Sequence, residues 1–135
     1  MEQNVLLLLT PKTQVACLKE SMNVRQALEK MRAHGYSAIP LISEGGEYLG
    51  TISEGDLLWY IYSENEPDLE TMEETKITAL LKKDKVPAVK VDAKMSEVVD
   101  LIINQNFVPV VDDRNVLMGI VTRKRVMQEL LKQEA

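Results

Sequence analysis

The sequence predicts a mixed α/β (α+β) fold built from two tandem repeats, each with the order strand, helix, strand, strand, helix. The first observation behind this prediction is that Ala38–Ile42 returns as Phe107–Val111, each an apolar run with one proline that is typical of a buried strand. The second is that Tyr48–Ser53 and Leu117–Thr122 also match, at the same spacing of 69 residues. Because the gap lengths agree without adjustment, both halves of the chain should fold alike.

Each repeat opens with two short segments. Apolar stretches at Val5–Leu9 and Ile77–Leu81 predict a short helix at the start of each repeat. The pieces Val15–Leu18 and Val86–Val91 then predict a short extended strand. With these leading segments the internal similarity extends over nearly the whole chain.

An amphipathic helix is predicted next in each repeat. Apolar side chains recur at the helical spacing i, i+3, i+4, i+7 in Val24, Ala27, Leu28 and Met31, and again in Met95, Val98, Val99 and Ile102. Asn23 and Ser96 lie near the two helix starts, where a short polar side chain can accept hydrogen bonds from free amides. We expect both residues to act as helix caps.

A hairpin and a second helix complete each repeat. The polar segments Ser43–Gly46 and Asp112–Asn115 separate the paired strands and are short enough for a tight turn. The second helix is expected directly after Ser53 in one repeat and after Thr122 in the other.

The chain divides into two repeats and a linker. We assign residues 1–62 to the first repeat, 63–76 to a linker with six acidic residues, and 77–135 to the second repeat. Clustered like charge usually keeps a linker in water, so we expect this segment to be solvated. A binding role for the acidic run is the alternative.

The composition excludes several classes of function. With 16 basic and 21 acidic residues the net charge is −5, so we expect no binding to nucleic acid. The apolar run Val5–Leu9 is far shorter than the roughly 20 residues of a bilayer span, so no membrane segment is expected. The single cysteine, Cys17, favours a cytoplasmic protein without disulfides. Because His34 is the only histidine, we predict no metal site, no cofactor and no enzyme activity.

The motifs of both halves point to one family. The first half has Gly35–Pro40 before the hairpin, Gly50 inside it and Ser53–Asp56 at the next helix start, and the second half matches through Phe107–Asp112 and Gly119–Thr122. This pattern resembles the CBS (cystathionine-β-synthase) domain. The resemblance implies two units packed about a pseudo-two-fold axis, with two clefts that take AMP, ATP, S-adenosylmethionine or dinucleotides. It also implies a sensor with no chemistry of its own.

The resemblance further implies which residues line each cleft. The expected ligand-binding residues of the principal cleft are Val15, Ala16, Tyr36, Ser37, Ala38, Pro40, Thr122, Arg123, Lys124 and Arg125. The secondary cleft would use Ser53, Asp56, Phe107 and Val108. In the family, backbone groups near Val15 and Ala16 and around Ser37 recognise the edge of adenine, and Tyr36 could stack on a base.

Three consecutive cations set the principal cleft apart. Arg123, Lys124 and Arg125 fall in the first turn of a helix, where each opposes the helix dipole at a cost of about 0.3 to 1 kcal/mol. A bound phosphate would remove this conflict, because the helix amides, the Thr122 hydroxyl and the cationic groups would all point at it. The alternative is a solvated basic patch that offsets the acidic linker.

The other cleft is expected to be secondary. Asp56 occupies the position for which the resemblance implies ribose binding, yet Ser53 and Asp56 also have the spacing of a capping box, and both interpretations stay open. The interval from Ile102 to Pro109 is shorter than that from Met31 to Pro40. The adenine-facing segment of the second repeat is therefore shortened.

The chain is also similar to small stand-alone CBS-pair proteins of Gram-positive bacteria, some of which bind cyclic di-AMP. We therefore expect cyclic di-AMP as the first ligand, followed by AMP, ADP or ATP, with the signal passing to an unidentified target protein. The alternative is an interaction protein whose clefts have degenerated. Trp59, Tyr60 and Tyr62 crowd one short helix, which favours a homodimer, with packing in the core as the competing explanation.

Overall fold

A computed structural model describes residues 4–82 and 86–134 of the chain. They contain the strands β1 (Thr10–Pro11), β2 (Leu18–Lys19), β3 (Ala38–Ile42), β4 (Tyr48–Ser53), β5 (Val89–Lys90), β6 (Phe107–Val111) and β7 (Leu117–Thr122), and the helices α1 (Val24–His34), α2 (Glu54–Ser63), α3 (Leu69–Glu74), α4 (Met95–Ile102) and α5 (Arg123–Glu134). Short 3₁₀ helices cover Val5–Leu8, Lys12–Gln14 and Ile77–Leu80. Every helix of these two ranges falls short of the length and apolar character that a bilayer span needs.

The chain forms two compact units. Residues 16–85 make up one, the central unit, and residues 1–15 join residues 86–135 in the other, the terminal unit. Each unit contains the order strand, helix, strand, strand, helix, so the predicted α/β fold of two repeats is confirmed. The domain limits predicted at residues 1 and 135 lie outside the described residues.

The central unit contains a three-stranded sheet in the order β2-β3-β4. β2 runs parallel to β3, and β3 and β4 form the antiparallel hairpin. The Asn23 side chain accepts a hydrogen bond from the Gln26 N–H, as the sequence predicts, and α1 ends at Gly35 with φ 67°. The core combines one face of α1 with strand residues such as Ile39 and Ile52, which are fully buried.

The terminal unit contains a four-stranded sheet in the order β1-β7-β6-β5. β1 lies antiparallel to β7, with Pro11 opposite Gly119. Val5 and Leu8, from the 3₁₀ turn before β1, are buried in the same core as Val108 and Val121. Residues 5–11 thus complete both the sheet and the core of this unit.

The prediction that Ser96 caps α4 is wrong. The helix begins at Met95, and the residue before it, Lys94, makes no side-chain capping bond. Ser96 is already the second residue of the helix and therefore lies past the position from which a side chain can cap it.

The predicted linker at residues 63–76 contains the helix α3, which is an unpredicted element. The Asp68 side chain caps this helix by accepting a hydrogen bond from the Thr71 N–H at 2.8 Å. Met72 is buried, α3 packs against α1, and Glu73 forms an ion pair with Arg25. The acidic run thus covers part of the central unit.

Candidate functional site

The same hydrogen bond positions the predicted site segments in both units. The N–H of Glu54 donates to the Ser37 carbonyl, and the N–H of Arg123 donates to the Asn106 carbonyl, both at 2.9 Å. Each bond ties the first residue of the second helix to the residue before the hairpin. The helix start and the hairpin start of a unit therefore form one continuous surface.

The helix start of the central unit is a closed capping box. The Ser53 hydroxyl accepts from the Asp56 N–H at 3.2 Å, and the Asp56 carboxylate accepts from the Ser53 N–H at 2.8 Å. Asp56 is only 3% exposed, and its other oxygen lies 3.8 Å from the Lys82 ammonium nitrogen. A cavity of about 310 Å³ adjoins this pair and is lined in part by Trp59, Tyr60, Thr75 and Leu80. The structural role of Asp56 is therefore established, and any role in ligand binding would come in addition.

The helix start of the terminal unit uses Arg123 for its own structure. The guanidinium Nε donates to the Ile102 carbonyl at 3.0 Å, and Nη1 donates to the Asn106 side-chain oxygen at 3.1 Å. Because the last carbonyls of α4 carry the negative end of its dipole, a cation there is favourable. The Arg123 guanidinium thus has hydrogen-bond partners within the protein and needs no ligand to satisfy it.

The other two cations differ from each other. The Arg125 N–H donates to the Thr122 hydroxyl at 3.1 Å, and its guanidinium lies 3.5 Å from Glu129, whose side chain is 14% exposed. Lys124 is exposed, and within the described part of the chain its ammonium group has neither an ion-pair nor a hydrogen-bond partner. Of the three predicted cations, Lys124 is the one whose charge remains available to an anion.

The predicted adenine-facing segment of the central unit is partly exposed. Tyr36 is 37% exposed, and the centroid of its ring lies 5.6 Å from that of His34. Ala16 and Ala38 are half-buried, and the Lys30 ammonium donates to the Cys17 carbonyl at 2.6 Å, which holds the chain just before β2. Pro40 is buried within β3, so it shapes the strand and presents no surface.

In the corresponding segment of the terminal unit, backbone carbonyls accept hydrogen bonds from the side chain of Gln105. Phe107 and Val108 are buried, at 7% and 0% exposure. The Gln105 side-chain nitrogen donates to the Phe107 carbonyl at 2.9 Å and to the Pro87 carbonyl at 3.3 Å. Gln105 is not among the predicted site residues, and the shortened interval before Pro109 is the sequence signal that points to this segment.

A model of the CBS domain matches residues 8–63 and again residues 79–132. The chain belongs to the CBS domain family. Each match covers one repeat, so the CBS pair accounts for most of the chain. Within residues 4–82 and 86–134, this CBS chain has no group of three or more His, Cys, Asp or Glu side chains placed to hold a metal ion.

The CBS chain is similar to proteins from several prokaryotes. It is 31% identical over 101 residues to an uncharacterized protein of Methanopyrus kandleri, a match that covers 73% of this chain and 49% of that one, so the chain spans about half the length of this relative. It is 26% identical over 118 residues to cyclic di-AMP receptor B of Bacillus subtilis, covering 87% and 80% of the two chains. The solved structure of Listeria monocytogenes CbpB in complex with c-di-AMP superposes with a TM-score of 0.86 at 25% identity, covering 97% of each chain.

The predicted ligand-binding residues of the CBS pair are distributed over both units. Val15 and the segment from Thr122 to Arg125 belong to the terminal unit, whereas Ala16, Pro40 and the segment from Tyr36 to Ala38 belong to the central unit. Inside each unit the structure brings the hairpin start and the helix start of the same repeat together. The assignment of these residues to one ligand stays a prediction.

Proposed function

We propose that this CBS chain is a regulatory sensor that binds an adenine nucleotide, with cyclic di-AMP as the first candidate and AMP, ADP or ATP as alternatives. The observation that carries the proposal is the start of α5, where Lys124 presents an available positive charge on a capped helix N-terminus. The helix dipole and the ammonium group both favour a phosphate at this position. The similarity to cyclic di-AMP receptor B, over 87% of this chain, supports the choice of ligand.

The base would be recognised by backbone groups of the central unit. β2 pairs with β3 only at Leu41 and Ile42. The peptide groups of β3 near Ala38 therefore lie before the first residue that pairs with β2. We call the backbone of Ala16 and Ala38 the base-recognition edge of this unit. Peptide N–H and C=O groups can form hydrogen bonds with the edge of adenine, and the exposed ring of Tyr36 offers a stacking surface worth about 1 to 3 kcal/mol per base.

The deciding experiment is a thermal-shift and calorimetric titration with cyclic di-AMP, AMP, ATP and S-adenosylmethionine. A ligand at about 100 times its Kd should stabilise the protein by about 2.7 kcal/mol. Lys124→Ala should weaken binding by about 10- to 100-fold, because a hydrogen bond to a charged group contributes about 1.5 to 3 kcal/mol. The matched control is Lys132→Ala, an exposed lysine in the last turn of the same helix, which should bind like wild type.

A double-mutant cycle of Lys124→Ala and Tyr36→Ala then tests whether both residues act on the same ligand. A coupling energy above about 0.5 kcal/mol supports the shared role, and additive losses contradict it. The absence of any stabilisation by all four nucleotides would reject the sensor. It would leave the interaction protein with degenerate sites, which the intramolecular bonds of Asp56 and Arg123 favour.

Self-association is the second part of the proposal. Leu58, Trp59 and Tyr62 are exposed on α2 at 58% or more, and Leu58 also lines an apolar groove of about 470 Å³ between α1 and α2. Tyr60, by contrast, is half-buried, and its hydroxyl donates to Thr75 at 3.3 Å. We place the α2 surface at the interface of a homodimer, because exposed aromatic side chains are enriched in protein interfaces.

Light scattering after gel filtration tests the dimer. Trp59→Lys should yield monomers, whereas the control Leu69→Lys, at an exposed position of α3, should leave the mass unchanged. A monomeric wild-type chain at all concentrations would contradict the homodimer. A cytoplasmic location, where the nucleotide and a target protein are both accessible, completes the proposal and can be checked by cell fractionation.

A further inference from the structure

The two units can be compared position by position through their parallel strand pairs. Leu18 lies opposite Leu41 in the central unit, and Val89 lies opposite Val110 in the terminal unit. Counting back from these pairs, the counterpart of Ala16 is Pro87 and the counterpart of Ala38 is Phe107. The same register places Gln105 where the central unit has Tyr36.

In the terminal unit, a side chain of the protein occupies the equivalent backbone edge. β5 pairs with β6 only from Val110 onward. The carbonyls of Pro87 and Phe107 therefore lie before the first pair of residues in these two strands. The Gln105 side-chain NH₂ group donates to both, at 3.3 and 2.9 Å. One planar NH₂ group thus satisfies two carbonyl acceptors, which is the full donor capacity of a carboxamide.

The segment that carries Gln105 is held on both sides. Arg123 donates to the Ile102 carbonyl before it and to the Asn106 side chain after it. The Asn106 carbonyl also accepts the Arg123 N–H. These bonds fix the four-residue connection between α4 and β6, so the Gln105 amide is held in place before any ligand arrives.

In the central unit the equivalent position behaves differently. The Tyr36 ring lies beside His34, and no side chain of the described residues donates to the carbonyl of Ala16 or Ala38. The exocyclic amino group of adenine is, like the carboxamide of glutamine, a planar NH₂ with two N–H donors. A base could therefore supply in the central unit the donors that Gln105 supplies in the terminal unit.

We propose that Gln105 is a specificity-determining residue that occupies the base-recognition edge of the terminal unit, so that each chain recognises one adenine base, through the edge at Ala16 and Ala38. The identification of the base rests on the proposed function. The occupation of the edge by Gln105 does not rest on the proposed function. Either claim can therefore be refuted while the other stands.

The first experiment examines Gln105 without nucleotide. In NMR spectra of the full-length chain, the side-chain NH₂ protons of Gln105 should exchange with water at least tenfold more slowly than those of Gln128, which is exposed on α5. Equal exchange rates would overturn the occupation of the edge, whatever nucleotides do. Saturating AMP should leave this protection unchanged, and its loss on AMP addition would also overturn the proposal.

The second experiment counts sites by calorimetry with AMP, which carries a single base. Wild type should bind one AMP per chain and Gln105→Ala two, while the control Gln128→Ala stays at one. The reciprocal change, Tyr36→Gln, should reduce the number to zero in a folded chain, and Tyr36→Phe should keep it at one. If wild type binds neither AMP nor cyclic di-AMP but Gln105→Ala binds one AMP, the proposed function fails and the occupation by Gln105 is supported. An unchanged number of sites in Gln105→Ala overturns it.

Discussion

Replacing Gly119 by alanine tests how the N-terminal segment is held. An alanine Cβ at this position would lie 2.2 Å from the Thr10 carbonyl oxygen and 3.0 Å from a Leu9 methyl carbon. The first contact is with backbone, so side-chain rotation cannot relieve it and β1 must shift away from β7. We therefore expect Gly119→Ala to loosen residues 4–11.

The size of the effect follows from what β1 holds in place. If the backbone adjusts locally, overpacking costs about 1 to 3 kcal/mol. If the segment detaches, Val5 and Leu8, at 0% and 2% exposure, leave the core, and each contributes about 1.5 to 3 kcal/mol when buried. The loss in free energy of unfolding should therefore lie between about 1 and 6 kcal/mol.

Urea unfolding and amide hydrogen exchange measure this effect. Protection of the amides from Leu6 to Leu9 should fall in Gly119→Ala. The control is Gly55→Ala in the first turn of α2, where the added Cβ would meet only the Ser53 hydroxyl oxygen at 3.5 Å and alanine favours the helix by up to about 1 kcal/mol. An unchanged unfolding midpoint in Gly119→Ala, with wild-type protection in the N-terminal segment, would refute the reasoning.

Three further substitutions test the roles of single side chains. Arg123→Ala should lower the free energy of unfolding by about 1 to 3 kcal/mol because the α4 carbonyl and Asn106 lose their donor. Lys124→Ala should change it by less than about 0.5 kcal/mol, and equal effects of both would contradict the division of roles. Burial raises the pKa of Tyr48 from 10.0 to about 12, although a hydrogen bond with Thr51 acts against the rise. The unfolded chain therefore loses the phenol proton first, and about 2 to 3 kcal/mol of stability present below pH 10 should be lost as the pH rises to 12. Denaturant titrations of Tyr48→Phe should show a weaker alkaline decline than wild type, and parallel declines would exclude Tyr48 as its source.

The hairpins could be predicted because their signals are local and occur twice. Pro40 pairs with Thr51 and Pro109 with Ile120, so the repeat spacing found in the sequence is also the register of the strands. α3 could not be predicted in this way. A six-residue acidic helix is unstable alone, and it depends on the cap from Asp68 and on burial of Met72 against α1.

The roles of the candidate site residues also depend on contacts between residues distant in the sequence, so local patterns do not predict them. In the sequence, Arg123, Lys124 and Arg125 are three equal cations, and only distant partners distinguish them. Ile102 precedes Arg123 by 21 positions, and its carbonyl becomes a partner only after α4 and α5 have packed. Gln105 has the appearance of an ordinary loop residue until the strand register places it opposite Pro87 and Phe107.

The pairing of β1 with β7 has a consequence for biosynthesis. Residues 16–85 are contiguous, so the ribosome synthesises the whole central unit before it reaches residue 86. The terminal unit joins residues 4–15 to residues 86–134, and Thr10 can pair with Ile120 only after Ile120 has been synthesised. Until β5, α4 and β6 have been synthesised, the apolar side chains of Val5 and Leu8 have no partner surface from their own unit. We therefore expect the N-terminal segment to stay unpaired during synthesis until the second repeat has been made.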